Sequence, residues 1–387
     1  MTETEDLEIQ ADRAAAAGDI PAARRLLEAA TRAAPERIDN WLKLSAMSRA
    51  TGDMTAALDA VGQALRVEPL HFLALLSRAR LLEAAGRTGE AARAYVRALA
   101  QRPSGDVETP ALKAVLAHAE AMQTSYRDGM AATWQRAIDS GEPAPSPDER
   151  RRLDRFASNA LRRTPLYRSD PTHYFYPGLT EREFHDRADF PWLAALEAHT
   201  DAIRAEFQAL FEDRLAQAEP YVQYPADVPV RQWAALNNSM DWTAFHLLNS
   251  GVRVAANADR CPRTMEALAP IPQPRIARRS PNAMFSLLKP HTRIPPHHGI
   301  ANTRLVCHLP LVVPEGCLYR VGATERKWVE GEAFVFDDTI EHEAVNDSDQ
   351  PRAVLIFDVW HPALSAAERA AVTRMMEAEE TEHGTPL

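Results

Sequence analysis

Histidines, arginines and one serine gather in two short stretches of the sequence: Ser286, His297, Arg304 and His308 in the first, His342 and Arg352 in the second. Neutral imidazole is a suitable iron ligand, so two histidines on separate β-like segments, His297 and His342, make a candidate mononuclear metal site. His298 adjoins His297, and adjacency alone does not separate the two. A guanidinium fork binds a carboxylate through paired hydrogen bonds, which makes Arg304 and Arg352 candidate anion contacts. The usual non-haem iron triad places a carboxylate two residues after its first histidine. Gly299 stands there instead and offers no donor atom. Glu341 and Glu343 flank His342, and on a strand their side chains point away from its own. They are therefore poor ligands. Asp337 and Asp338 read as turn residues, and Cys307 as a small strand hydrophobe. No Gly-rich phosphate loop and no serine-nucleophile elbow occur.

Three motifs follow one another: His-x-Gly-x-x-Asn-x-Arg-Leu-x-x-His-Leu (297–309), Phe-Asp-Asp-x-x-Glu-His-Glu (336–343) and Asp-Val-Trp-His-Pro (358–362). On these, the stretch from about 174 to 364 resembles the aspartyl/asparaginyl β-hydroxylase family of iron(II)- and 2-oxoglutarate-dependent oxygenases. The resemblance implies a double-stranded β-helix (jelly-roll, cupin-like) fold. It also implies Fe(II) held by His297 and His342 with water completing the shell, and 2-oxoglutarate and O₂ as cosubstrates. Arg352 would take the distal carboxylate of 2-oxoglutarate with help from Ser286, and His308 would also contact the cosubstrate. The family often has a second arginine where Val306 stands, which leaves Arg304 as the alternative contact for the proximal carboxylate. Asn302 either orients Arg304, lines the substrate pocket or forms a turn before the strand. Asn237, Asn238, Trp242 and His246 resemble a family segment beside the pocket, with no catalytic role assigned. The implied activity is hydroxylation of an Asp- or Asn-type residue in a peptide or protein. The alternatives are an oxygenase acting on a small molecule or lipid headgroup, and a non-catalytic cupin-like interaction protein.

Composition limits the partners. The 387 residues, 45% hydrophobic and 25% charged, suit a soluble globular protein of two or three domains. A formal charge of −10 argues against nucleic acid, whose phosphates are bound by clustered Lys and Arg. Three cysteines are an odd, sparse set that does not describe a disulfide scaffold, so they are expected as reduced thiols. The first residues are acidic where a signal peptide would be basic then apolar, and no apolar run approaches the ~18 residues of a membrane span. The expected location is cytoplasmic.

The elements that must position these residues come in two kinds, giving an α+β chain. Gly18, Gly52 and Gly86 recur every 34 residues, in step with Ala23, Ala57 and Ala91, with Ala30, Ala64 and Ala98, and with Pro35, Pro69 and Pro103. The pattern is similar to tetratricopeptide repeats: small residues where paired helices meet, and a proline ending each second helix. Three repeats are expected within 1–107, and they either bind a peptide or protein substrate or serve assembly alone. A helical extension and a Pro-rich linker follow at 108–147, with the domain boundary at the three prolines of 142–147. The oxygenase domain is expected over 148–387, with its core at about 280–362. It would begin with helices at 148–163 and 191–213, separated by a tyrosine-bearing loop at 174–178. From Trp233 the apolar period shifts toward 2, with strands expected at 283–288, 304–313, 317–321, 333–336, 341–345 and 353–360. Ser365 and Glu368 form a capping box that opens a terminal helix, followed by a polar tail.

Overall fold

The computed structural model describes residues 3–103, 109–214, 218–227 and 229–383. Two compact units divide the chain, Met1–Thr164 and Pro165–Leu387.

The first unit is all helix. Three antiparallel pairs, α1 (Glu3–Ala16) with α2 (Ile20–Ala33), α3 (Ile38–Ala50) with α4 (Met54–Val67), and α5 (Phe72–Ala84) with α6 (Thr88–Leu99), carry the 34-residue period. Gly18, Gly52 and Gly86 have φ of +82°, +78° and +72°, a left-handed turn that a side chain would strain. Asp19 and Asp53 then cap the second helices by accepting from Ala22 N and Ala56 N at 3.0 Å. Ala23, Ala57, Ala91, Ala30, Ala64 and Ala98 are fully buried, as the close approach of the helices requires. These are the expected tetratricopeptide-like repeats.

A long helix, α7 (Pro110–Asp139), packs on α6, and α8 (Pro147–Ala160) packs back on α7. Here the expected domain limits need correction. The prolines of 142–147 break the helix but do not separate domains, because the chain reverses and α8 stays with the helical unit. Ser146 and Glu149 form a capping box, Arg150 reaches Asp139 at 2.7 Å and Arg163 pairs with Asp128. The 107/108 limit falls in 104–108, outside the described residues.

The second unit opens with α9 (Leu193–Glu197) and α10 (Thr200–Arg214), which break the helix expected at 191–213 into two. Its strands are β1 (Glu219–Pro220), β2 (Trp242–Asn249), β3 (Val252–Arg253), β4 (Ala283–Leu288), β5 (Thr292–His297), β6 (Arg304–Val312), β7 (Cys317–Val321), β8 (Thr324–Arg326), β9 (Phe334–Phe336), β10 (His342–Asn346) and β11 (Arg352–Trp360). Short helices α11 (Ala255–Ala258) and α12 (Pro262–Leu268) join β3 to β4, and α13 (Ala366–His383) ends the described chain. The six expected strands are present. The polar tail expected beyond the terminal helix lies outside the described residues.

All strand pairs are antiparallel and form two sheets, β1-β2-β4-β11-β6-β9 with β3 on β2, and β5-β10-β7-β8, a jelly-roll arrangement. Alternation along the strands decides what faces the gap between the sheets. On β6, Leu305, Cys307, Leu309 and Leu311 join Phe207 and Leu210 of α10 in one core, while Val306 joins Tyr319 and Phe336 in the second. On β11, Leu355, Phe357 and Val359 face the first core and Val354 the second. Polar residues in phase with Val306 and Val354 therefore look into the inter-sheet space.

Candidate active site

A cavity of about 420 Å³ lies between the two sheets. The larger sheet contributes Ser286, Arg304, His308 and Arg352, and the smaller contributes Tyr319, His297 and His342. The six residues singled out in the sequence thus share one space.

His297 and His342 are register partners on β5 and β10, with ring centroids 3.9 Å apart. The Nδ1 of His297 lies 2.8 Å from Pro295 O, and that of His342 lies 3.1 Å from Ile340 O. A carbonyl only accepts, so each Nδ1 carries the proton and each Nε2 keeps a free lone pair. Burial and then the neighbouring His342 push the pKa of His297 down to about 3, and burial brings that of His342 to about 4. Both rings are neutral near pH 7, the form a metal requires. His298 does not line the cavity. Glu341 and Glu343 turn outward to Arg320, at 2.9 and 2.5 Å, and Glu343 also pairs with Arg293.

Arg352 is 1% exposed, and its Nε and Nη1 have no hydrogen-bond partner among the described residues. Its guanidinium stacks 4.8 Å from the ring centroid of Trp328. Burial lowers its pKa to about 10, and it stays charged at neutral pH. A buried cation without a counter-ion is costly, and a carboxylate entering the cavity would relieve that cost. Ser286 lies nearby: Arg352 pairs with Leu288 on β4, two residues along from Ser286. Ser286 Oγ accepts from Trp242 Nε1 at 3.0 Å, so its own proton remains free to donate. Asn346, at the opposite end of β10 from His342, donates to the carbonyl of that same Leu288. The histidine pair and Arg352 therefore sit at opposite ends of the cavity, with His308 on the wall between.

Arg304 points into the same cavity but is clasped by Asp338 at 3.1 Å and Asp358 at 3.2 Å. Burial disfavours its charge, yet these two carboxylates more than offset this and raise its pKa. Asp338 stands in the turn expected for it, after β9. It is buried in the cavity wall, and a Cβ on Gly299 would come within 2.3 Å of its carboxylate. The space a carboxylate at position 299 would enter is thus already taken by one from the turn between β9 and β10. Asp337 behaves as expected, accepting from Thr339 N at 2.9 Å in a turn. Asn302 neither orients Arg304 nor lines the cavity; it holds both the N–H and the carbonyl of Tyr176. Of the family-like segment, Trp242 and His246 line the cavity, whereas Asn237 fastens the backbone of Tyr224.

Four aromatic residues of the site had no assigned place in the sequence reading. Trp328 arrives from the β8–β9 connection and Tyr319 from β7. Trp233 meets His297 edge to face with ring centroids 4.8 Å apart, and Tyr221 stacks on Trp242 with centroids 3.8 Å apart. Alternation on β7 placed Tyr319 inward; nothing local marks the other three.

Among the described residues no three His, Cys, Asp or Glu side chains are grouped to hold a metal. The donors that fit one are the two Nε2 atoms, leaving the remaining positions to ligands from solution. The orphaned nitrogens of Arg352 fit the far end of an anion long enough to reach them.

The family described as aspartyl/asparaginyl beta-hydroxylase matches residues 197–362. Human aspartate beta-hydroxylase domain-containing protein 2 is 34% identical over 206 residues, covering 52% of this chain and 53% of that one. The ornithine lipid ester-linked acyl 2-hydroxylase of Rhizobium tropici is 35% identical over 195 residues, 50% of this chain and 65% of that one. Human aspartyl/asparaginyl beta-hydroxylase is 36% identical over 138 residues, 35% and 18% of the respective chains. The chain thus spans about half the length of the first of these relatives. A solved Yersinia enterocolitica type III secretion chaperone, SycD, in complex with a YopD peptide, covers 34% of this chain and 97% of its own at 17% identity and a TM-score of 0.29.

Proposed function

We propose that the chain is an iron(II)- and 2-oxoglutarate-dependent dioxygenase acting on an Asp- or Asn-type residue of a peptide or protein, a reading supported by the match of residues 197–362 to the aspartyl/asparaginyl beta-hydroxylase family. The observation that carries the cosubstrate is Arg352: a buried guanidinium with two unpartnered nitrogens, facing a cavity whose other end holds two neutral histidines.

Iron(II) and 2-oxoglutarate, when bound, supply the oxidant, with O₂ consumed and succinate and CO₂ released. The chain's own work is binding, orientation and exclusion of water. His297 and His342 would hold the metal through Nε2, their rings fixed by the carbonyls of Pro295 and Ile340. Arg352 and the Ser286 hydroxyl would take the distal carboxylate, and His308 would donate to the cosubstrate between them. Val306 offers the proximal carboxylate nothing, and Arg304 is engaged by Asp338 and Asp358, so the load falls on His308. Trp233, Tyr221 and Trp242 line the wall near His297 and Ser286 and keep bulk water from the reacting carbon.

The helical repeats are proposed to bind the peptide or protein acceptor. Arg49 and Arg80, both exposed, line a groove of about 530 Å³ on α3, α5 and α7. A fragment beginning at Pro165 would then keep 2-oxoglutarate turnover without acceptor and lose turnover on the native acceptor. Undiminished native turnover in that fragment would remove the repeats from substrate delivery.

A second reading, an acyl-bearing lipid or small-molecule acceptor, is favoured by the acyl hydroxylase of Rhizobium tropici among the relatives. Mass spectrometry of acidic peptides and of acyl lipids incubated with enzyme, iron(II), 2-oxoglutarate and O₂ decides between them. An added oxygen on peptide supports the first reading, and one confined to acyl chains supports the second.

A further inference from the structure

Trp328 meets two of the side chains assigned to the cosubstrate, Arg352 and His308. It is 5% exposed and lies on the β8–β9 connection, between exposed Lys327 and Val329. The Arg352 guanidinium lies over its ring at 4.8 Å, and its Nε1 is 3.4 Å from His308 Nδ1.

The second contact has a consequence for hydrogen-bond direction. An indole N–H donates and cannot accept, so Nδ1 of His308 must be the acceptor. The single proton of the neutral ring is then on Nε2, and the atom left for a ligand is a donor. The opposite tautomer would offer a carboxylate a lone pair and repel it. The first contact acts on Arg352. The electron-rich ring face partly stabilises a cation that has no carboxylate beside it, and it fixes the guanidinium plane. Both Nε and Nη1 are thereby held unpartnered. Tyr319, with its ring centroid 5.2 Å from that of Trp328, keeps the indole from turning away.

We infer that Trp328 is a positioning residue for the cosubstrate anion, setting the His308 tautomer through its indole N–H and the Arg352 plane through its ring. This rests on the 2-oxoglutarate reading above. It adds that anion recognition depends on Trp328 acting through Arg352 and His308.

The test is calorimetric titration of 2-oxoglutarate onto the full-length protein loaded with Mn(II), without O₂, using Trp328→Phe and Trp328→Leu. The phenylalanine keeps a ring under Arg352 and removes the donor, so binding weakens by about fivefold; the leucine removes both and weakens it by about thirtyfold or more. Mn(II) affinity stays unchanged, and steady-state assays show a raised KM for 2-oxoglutarate at nearly constant kcat. In ¹⁵N spectra, His308 is the Nε2–H tautomer in the unsubstituted protein and loses that preference in Trp328→Phe. Trp328→Phe adds nothing further in a His308→Gln background, because the contact it removes is already absent. Equal affinity in all three proteins, with His308 unchanged in tautomer, would overturn the inference alone. Absence of 2-oxoglutarate binding by the unsubstituted protein would overturn the cosubstrate reading and this inference with it.

Discussion

His297 and His342 face each other across the β5–β10 ladder, each with Nδ1 directed at the carbonyl two residues before it and Nε2 left to the cavity. The same i−2 contact on both strands turns two separate rings into one preset pair. Burial keeps them neutral, so metal need not displace protons at pH 7.

That burial has a cost that acid reveals. The folded pKa values, about 3 and about 4, lie below the ~6.5 of an unfolded histidine. Below pH 6.5 the unfolded chain takes up protons that the folded pair refuses, and the metal-free protein loses stability as pH falls. At pH 5 the loss relative to pH 7 is about 2 kcal/mol per histidine. Chemical denaturation of metal-free protein at the two pH values, alongside His297→Gln, measures it. The variant should lose less by one histidine's share; equal losses would contradict the low folded pKa.

Arg352 should trade stability for binding. Replacing a buried unpaired guanidinium by a side chain of similar length, Arg352→Met, removes a desolvated charge and should stabilise the ligand-free protein by about 1–4 kcal/mol. It should also weaken 2-oxoglutarate by about 2–5 kcal/mol. Melting curves with and without 2-oxoglutarate read both effects. A destabilised ligand-free variant would mean that Arg352 already has an internal partner.

Gly299 is closed to side chains by Asp338. Even Gly299→Ala must move that carboxylate and should cost about 1–3 kcal/mol. Gly299→Asp should not tighten metal binding, despite resembling the usual triad, because the space it needs is filled. Asp338→Ala should relieve the cost of Gly299→Ala in a double-mutant cycle. Additive losses in that cycle would show that the two positions do not compete.

Much of this was legible in the sequence because strand periodicity fixes facing. Arg304, Val306 and His308 at i, i+2 and i+4 had to share a face, and Cys307 had to turn to the opposite core. The period of 34 likewise fixed which alanines are buried in the repeats. β5 was missed because Pro295 and Pro296 weaken a strand signal. It is an edge strand, where a missing donor is tolerated. The clasp of Asp338 and Asp358 on Arg304, and the reach of Trp328 to Arg352, join strands and loops far apart in the chain, and no local pattern encodes them. The Pro-rich stretch misled because proline marks the end of a helix equally well at a hairpin and at a domain boundary.

The central claim is that one cavity holds iron(II) on His297 and His342 and 2-oxoglutarate on Arg352. It is tested most directly by anaerobic titration of 2-oxoglutarate into the iron(II)-loaded protein, followed by visible charge-transfer absorption. The unsubstituted protein should develop the band in saturable fashion. Arg352→Ala should need about 30-fold or more 2-oxoglutarate to reach it, the effect of losing a charged hydrogen-bond pair. His297→Ala and His342→Ala should show none. A band that persists at unchanged 2-oxoglutarate concentration when His297 or Arg352 is removed, or that never forms in the unsubstituted protein, would contradict the account.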